Sequence, residues 1–346
     1  MKYFVCFLGF YIALLANLTS ANSNYTIMCY YTHRQTEEDL KPKFINFTLC
    51  THAIFGFAET KNSVIHPRNP KDVIYYKSFN VLKKKSSQGC KSLLSVGGSL
   101  SEVISTQSTR KIFINHAIPY LRNFGFDGLD FDWEYPKMSE KENYAAFMLE
   151  LRNATFAESR KSGKEPLILT AAVSYFGSNT PYDVPKMIKA LDFFNLMTYD
   201  FHSYRDGVTG ANSPLFKSPK ESTTSRLNIA ATLSAWERLG VPKAKLLVGF
   251  ATYGQTFRLK DPSINGISAP TNGFTFGTAE CNFVTAISFV EFGARRVFEN
   301  DQKVPYAYNE HSWVSYDDPV SFKAKCSWLK LKGYGGAMTF SLNADD

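Results

Sequence analysis

The residues of this chain whose types and spacing could do chemistry are concentrated in one run, Asp127-Gly128-Leu129-Asp130-Phe131-Asp132-Trp133-Glu134-Tyr135-Pro136. Asp130, Asp132 and Glu134 recur at every second residue. A strand over 128–134 therefore directs three carboxylates to one face, with Leu129, Phe131 and Trp133 on the other. Like charges this close disfavour joint ionisation, which raises the proton affinity of at least one of them. A carboxyl kept protonated near neutral pH can serve as a general acid. Two other readings stand beside this one, an edge strand with a solvated acidic face and a metal-binding cluster. Trp and Phe between the acids speak against the first. No histidine accompanies the acids, which speaks against the second, so no metal is expected.

The elements that must position such a run follow from the rest of the pattern. Strand-like stretches at 26–31, 51–57, 91–96, 128–134, 167–173, 193–199, 245–251 and 335–341 alternate with helix-like ones, the signature of a parallel α/β barrel. Eight strands close a TIM (β/α)8 barrel, whose active site lies at the C-terminal ends of its strands. Polar or unusual residues collect at those ends: Gly97 and Gly98 after the third strand, the acids on the fourth, Met197, Tyr199 and Asp200 on the sixth. The segment 252–317 is too long for an ordinary βα loop. It reads as a small α+β insertion subdomain within a barrel spanning 22–346.

The acidic run carries every acid of the DxxDxDxE signature, and the chain resembles glycoside hydrolase family 18, the chitinases and chitinase-like lectins, from about Tyr25 to its end. The resemblance implies retaining, substrate-assisted hydrolysis of β-1,4 N-acetylglucosamine linkages, with chitin or its oligosaccharides as partner and no cofactor. In that scheme Glu134 is the acid/base. Asp132 holds the substrate acetamido group and stabilises the oxazolinium, and Asp130 shares a proton with Asp132, so that the two titrate as a coupled pair. Asp127, off the two-residue period, orders the start of the strand. Tyr199 and Asp200 fall where family members bind the N-acetyl group and ring hydroxyls; Met197, Tyr135, Gly97, Gly98 and Phe340 belong to the same sugar-binding set. Tyr30 and Phe57 match an aromatic layer beneath the acids, and Tyr253 a substrate-facing tyrosine. For Phe57 core packing is the preferred reading. Cys29 and Cys50 match a disulfide of the family.

Departures from the family gather on sugar contacts. Arg34, Ser99, Arg205 and Phe340 stand where animal-type chitinases have groove tryptophans, and Gln255 stands where an arginine is usual. An aromatic contact contributes on the order of 1 kcal/mol beyond its buried area, so a groove without several of them grips a polymer less well. Two functions therefore remain in view: a chitinase acting within chitin or short oligomers, and a chitin-binding lectin of weak or absent activity.

Composition sets the outer limits. The 346 residues are 44% hydrophobic and carry a net charge of +8. Lys83-Lys84-Lys85 is the one dense basic run and reads as the solvated face of a helix, so nucleic acid is not an expected partner. Residues 1–21 read as a secretory signal peptide, with an uncleaved anchor as the alternative. The apolar run there is short of the roughly 20 residues that cross a bilayer. A secreted monomer without membrane contact is the expectation. Export makes disulfides available to Cys29, Cys50, Cys90, Cys281 and Cys326, an odd number. Asn24, Asn46 and Asn153 each begin an Asn-x-Ser/Thr sequon, the acceptor for N-glycosylation.

Overall fold

A computed structural model describes residues 25–33, 40–86, 89–174, 180–222 and 224–345. The leader expected over 1–21, the sequon residue Asn24 and Arg34 lie outside them. The fold is a closed barrel of eight parallel strands with surrounding helices, the TIM class expected, and it carries a second, five-stranded antiparallel sheet. The chain divides into two compact units, Thr26–Leu196 with Ala235–Leu247, and Met197–Ser234 with the residues from Val248 onward.

In the first unit β1 (Thr26–Thr32), β2 (His52–Lys61), β4 (Lys91–Gly97), β5 (Gly128–Asp132), β6 (Ile168–Val173) and β7 (Phe193–Leu196) pair in parallel in that order, and β3 (Val64–Pro67) folds back antiparallel on β2. All seven residues of β1 are buried, as strands covered on both faces require. Cys29 on β1 is joined to Cys50 by a disulfide. The helices between strands begin and end on recognisable signals. Thr106 caps helix Gln107–Phe124 by accepting from the Thr109 amide, and Gly125 ends it with φ of 80°, a left-handed conformation that costs glycine little.

Two expectations need correction here. Lys83 is not part of a solvated face: it closes helix Asp72–Lys83, is buried, and donates to Ser92 Oγ, Gly125 O and Asp127 Oδ2. Only Lys84 and Lys85 are exposed. The fourth and sixth barrel strands also stop early, at Asp132 and Leu196 rather than at Glu134 and Tyr199. Their neighbours set the limit. The last partners of β5 are Gly97 on β4, opposite Asp132, and Ala171 on β6, opposite Phe131.

The second unit holds β8 (Leu246–Ala251, which starts in the first unit), β14 (Gly336–Phe340) and the antiparallel sheet. That sheet is built from β9 (Tyr253–Arg258), β10 (Glu280–Asn282), β11 (Arg295–Glu299), β12 (Val304–Asn309) and β13 (Ser312–Ser315), in the order β10-β9-β13-β12-β11. Phe257, Leu259, Tyr306 and Trp313 form a buried cluster on it. Asp318 caps helix Pro319–Lys332, in which Lys325 makes a buried ion pair with Asp317 at 2.6 Å.

Candidate active site

Asp130 lies wholly buried in the middle of β5. Its Oδ2 accepts from Tyr30 Oη at 2.6 Å and Ser95 Oγ at 2.7 Å, and its Oδ1 from Thr170 Oγ1 at 2.5 Å and Asn195 Nδ2 at 3.1 Å. The register explains the convergence, because Ser95 on β4 and Thr170 on β6 are the direct lateral partners of Asp130. These donors fill the acceptor capacity of the carboxylate. Burial pushes Asp130 toward the protonated form, and the four hydrogen bonds oppose that shift. Its link to Asp132 runs through charge, since its hydrogen bonds are all spent on other partners.

Asp132, the last residue of the strand, is held well above the ordinary carboxylate range, first by burial and then by the charges of Glu134 and Asp130, with Arg68 partly offsetting them. Its Oδ1 is buried and has no hydrogen-bond partner. Its carboxyl is hydrogen bonded to Glu134, a contact that needs one proton shared between two acids. Glu134 stands just past the strand end and is exposed. Tyr135, 40% exposed, is hydrogen bonded to Glu134 and Ser174 through its hydroxyl, and burial raises the proton affinity of that phenol. The acids thus form a graded set, one clamped, one half-buried with a bare inner oxygen, one open to solvent.

Around them the sequence reading meets several adjustments. Tyr30 is buried and donates its hydroxyl to Asp130 Oδ2. Phe57 is not a core residue. The pairing of β2 with β4 slips between Gly56 and Ala58, a bulge that takes Phe57 out of the alternation. Its half-buried ring lies 6.5 Å from that of Tyr30 and 5.3 Å from the Arg68 guanidinium. Gly97 leaves room for this arrangement, because a Cβ there would stand 3.1 Å from Phe57 Cδ1 and 3.3 Å from Arg68 Nη2. Gly98 turns the chain with φ of 86°. Asp127 sits at the opposite end of the strand, accepting from Lys83 and from the Ser92 amide. Ser99 is exposed, its hydroxyl directed at Ser101.

Within the second unit, Tyr199 stacks on Phe340 with ring centroids 6.0 Å apart and meets Tyr253 edge-on at 6.0 Å. Asp200 accepts from Gln255 Nε2 at 2.7 Å and is hydrogen bonded to Tyr253, while its amide donates to Asn212 Oδ1. Met197 is half-buried, and Arg205 lies over the Tyr204 ring at 5.1 Å.

Sequence reasoning passed over Ser95, Thr170, Asn195 and Arg68. The first three did leave a signal, a single polar residue within the otherwise apolar stretches Leu-Leu-Ser-Val, Leu-Thr-Ala-Ala and Phe-Phe-Asn-Leu. A buried polar side chain in such a place needs a partner. Arg68 left none, since its position depends on the β2–β3 hairpin. Among the described residues no cluster of His, Cys, Asp and Glu could hold a metal ion.

Comparison with known proteins places these residues in context. The description "Glycosyl hydrolases family 18" matches residues 26–345. Chitotriosidase-1 of Mus musculus is 39% identical over 92% of this chain and 73% of its own length. The oviduct-specific glycoproteins that also match are longer, and the chain spans 51% of the one from Mesocricetus auratus. Among solved structures, an immunomodulatory active chitinase from Trichuris suis superposes with a TM-score of 0.87 at 32% identity, covering 93% of each chain. Human YKL-39, described as a pseudo-chitinase with retained chitooligosaccharide binding properties, gives 0.86 at 34% identity over 92% of this chain and 93% of its own.

Proposed function

Because the chain belongs to glycosyl hydrolases family 18, we propose that it is a secreted chitinase cleaving β-1,4 N-acetylglucosamine linkages with Glu134 as acid/base. The observation that carries this reading is Asp132, its proton affinity raised by burial and by Glu134 and Asp130, between a clamped Asp130 and an exposed Glu134. A protein that only holds sugar has no need of a half-buried, raised carboxyl beside an exposed one. In the first step Glu134 gives its proton to the glycosidic oxygen. The acetamido oxygen of the substrate attacks the anomeric carbon as that bond breaks, giving an oxazolinium. Asp132 accepts the acetamido N–H through Oδ1 and balances the positive charge. In the second step Glu134 takes a proton from water, which opens the ring with net retention. The four donors on Asp130 keep Asp132 in position beneath the substrate. Gly97, Gly98 and Tyr135, and also Met197, Tyr199, Asp200, Tyr253 and Phe340, are proposed as sugar contacts, and 252–317 as an inserted subdomain. Of the described sequons, Asn46 is the better acceptor for a glycan. It is exposed in a loop, whereas Asn153 lies inside helix Lys141–Ser162 with its Thr155 buried.

The binding-protein reading is favoured by one observation, the exposed Ser99 in a position that animal-type chitinases give to tryptophan, and YKL-39 supplies a precedent for it. Release of fluorophore from a chitotriose conjugate separates the two. Glu134→Gln is expected to lower kcat at least about 100-fold, the low end for loss of a general acid, with the circular dichroism spectrum unchanged. Equal inactivity of a folded wild type and the variant would leave the lectin reading; equal activity would take the acid role from Glu134.

A further inference from the structure

Arg68 is exposed, and among the described residues it takes part in no ion pair or hydrogen bond. It is nonetheless held in place. Its guanidinium lies 5.3 Å over the Phe57 ring, and its Nη2 comes close to Gly97, where a Cβ would stand 3.3 Å from it. Gly97 is the lateral partner of Asp132, so the cation stands beside the acids without bonding to them. An arginine whose task was to neutralise those acids would be in contact with one of them. The guanidinium is exposed beside that ring, and a guanidinium pairs with planar or tetrahedral oxyanions through two parallel N–H donors.

We propose that Arg68 is a specificity-determining residue that receives an anionic substituent, a carboxylate or a sulfate ester, on the glycan bound at Asp132 and Glu134. The inference rests on the glycan-binding reading above and names the substrate class within it. Phe57 and Gly97 act as its support, one supplying a face to stack on and the other the space. Asp132 shows that the cation is near enough to matter, since Arg68 offsets part of the upward shift of that carboxyl.

The test compares chitotetraose with two charged counterparts, one 6-O-sulfated and one oxidised at C6 to the carboxylate, by titration calorimetry in a Glu134→Gln background that prevents turnover. The expected result is tighter binding of at least one charged oligomer by about tenfold or more, the effect of one charge-assisted contact. That preference should shrink as salt is raised. Arg68→Gln should abolish it while leaving the neutral Kd unchanged. Arg68→Lys should keep part of it, as a point charge without the planar fork. The arm that shows the preference identifies sulfate or carboxylate as the source. Chitotetraose binding with no charge preference, or a preference that survives Arg68→Gln, would overturn the inference and leave the glycan reading intact. Failure of all three oligomers to bind would overturn both.

Discussion

At the scale of single residues, the site is organised by an unequal treatment of adjacent acids. Asp130 is saturated with donors, whereas Asp132 is half-buried with its Oδ1 buried and unbonded, so hydrogen bonds oppose the upward shift of the first and not of the second. The consequence for stability has a definite sign. Burial, then Glu134 and Asp130, raise Asp132 above its unfolded value of about 3.9. The native state therefore binds a proton more tightly than the unfolded chain. Stability falls as pH rises from near 4 through the raised native value, and the penalty is complete above it. Asp132→Asn removes the titration, so its melting temperature should exceed that of the wild type at pH 8 by more than at pH 5. Melting curves at the two pH values check this, and a gap of constant size would show that Asp132 is not the group concerned. The pattern of acids was legible from period-two spacing alone. The inequality between them was not, because it depends on Ser95, Thr170 and Asn195, which come from three other strands.

At the scale of elements, β5 carries the acids and is fixed by what flanks it. Gly128 opens the strand against β6, where a Cβ would collide with the Ile168 carbonyl and stand 2.9 Å from Ile168 Cβ. Backbone on one side of that contact leaves little room to yield. Gly128→Ala should therefore cost about 1–3 kcal/mol, as overpacking of a filled interior does, and should shift the acids with the strand. Chemical denaturation measures the first effect and oligosaccharide affinity the second. A neutral substitution would mean that β5 and β6 can part without consequence. The strands themselves could be read because parallel, doubly covered strands appear as apolar runs. Their ends could not, since β5 stops opposite Gly97, the last residue of β4, and β7 opposite Val173, the last of β6, and not where their own composition changes. The position of Phe57 was missed for a related reason, as a bulge between Gly56 and Ala58 is a property of the pairing with β4.

At the scale of the molecule, the barrel was legible and the activity was not, for fold alone does not fix function. An active chitinase and a pseudo-chitinase both superpose closely on this chain, so the shared frame does not separate the two activities. Among the described residues, stability of that frame draws on one covalent link, Cys29 to Cys50, closing a loop with a sequence separation of 21. A loop of this size restricts the unfolded chain enough to stabilise the native state by roughly 3 kcal/mol. The three remaining described cysteines are poor competitors for it. Cys90, Cys281 and Cys326 are buried, and burial pushes their thiols up to about 12, 12 and 11, so little thiolate is present to attack a disulfide. The paired substitution Cys29→Ser with Cys50→Ser should lower unfolding free energy by about that 3 kcal/mol. In the native wild type, iodoacetamide should leave Cys90, Cys281 and Cys326 unmodified until denaturant is added. Labelling of any of the three under native conditions would mean that its surroundings open more readily than its burial implies, and an unchanged denaturation midpoint in the double variant would place the stability of the barrel in its packing alone.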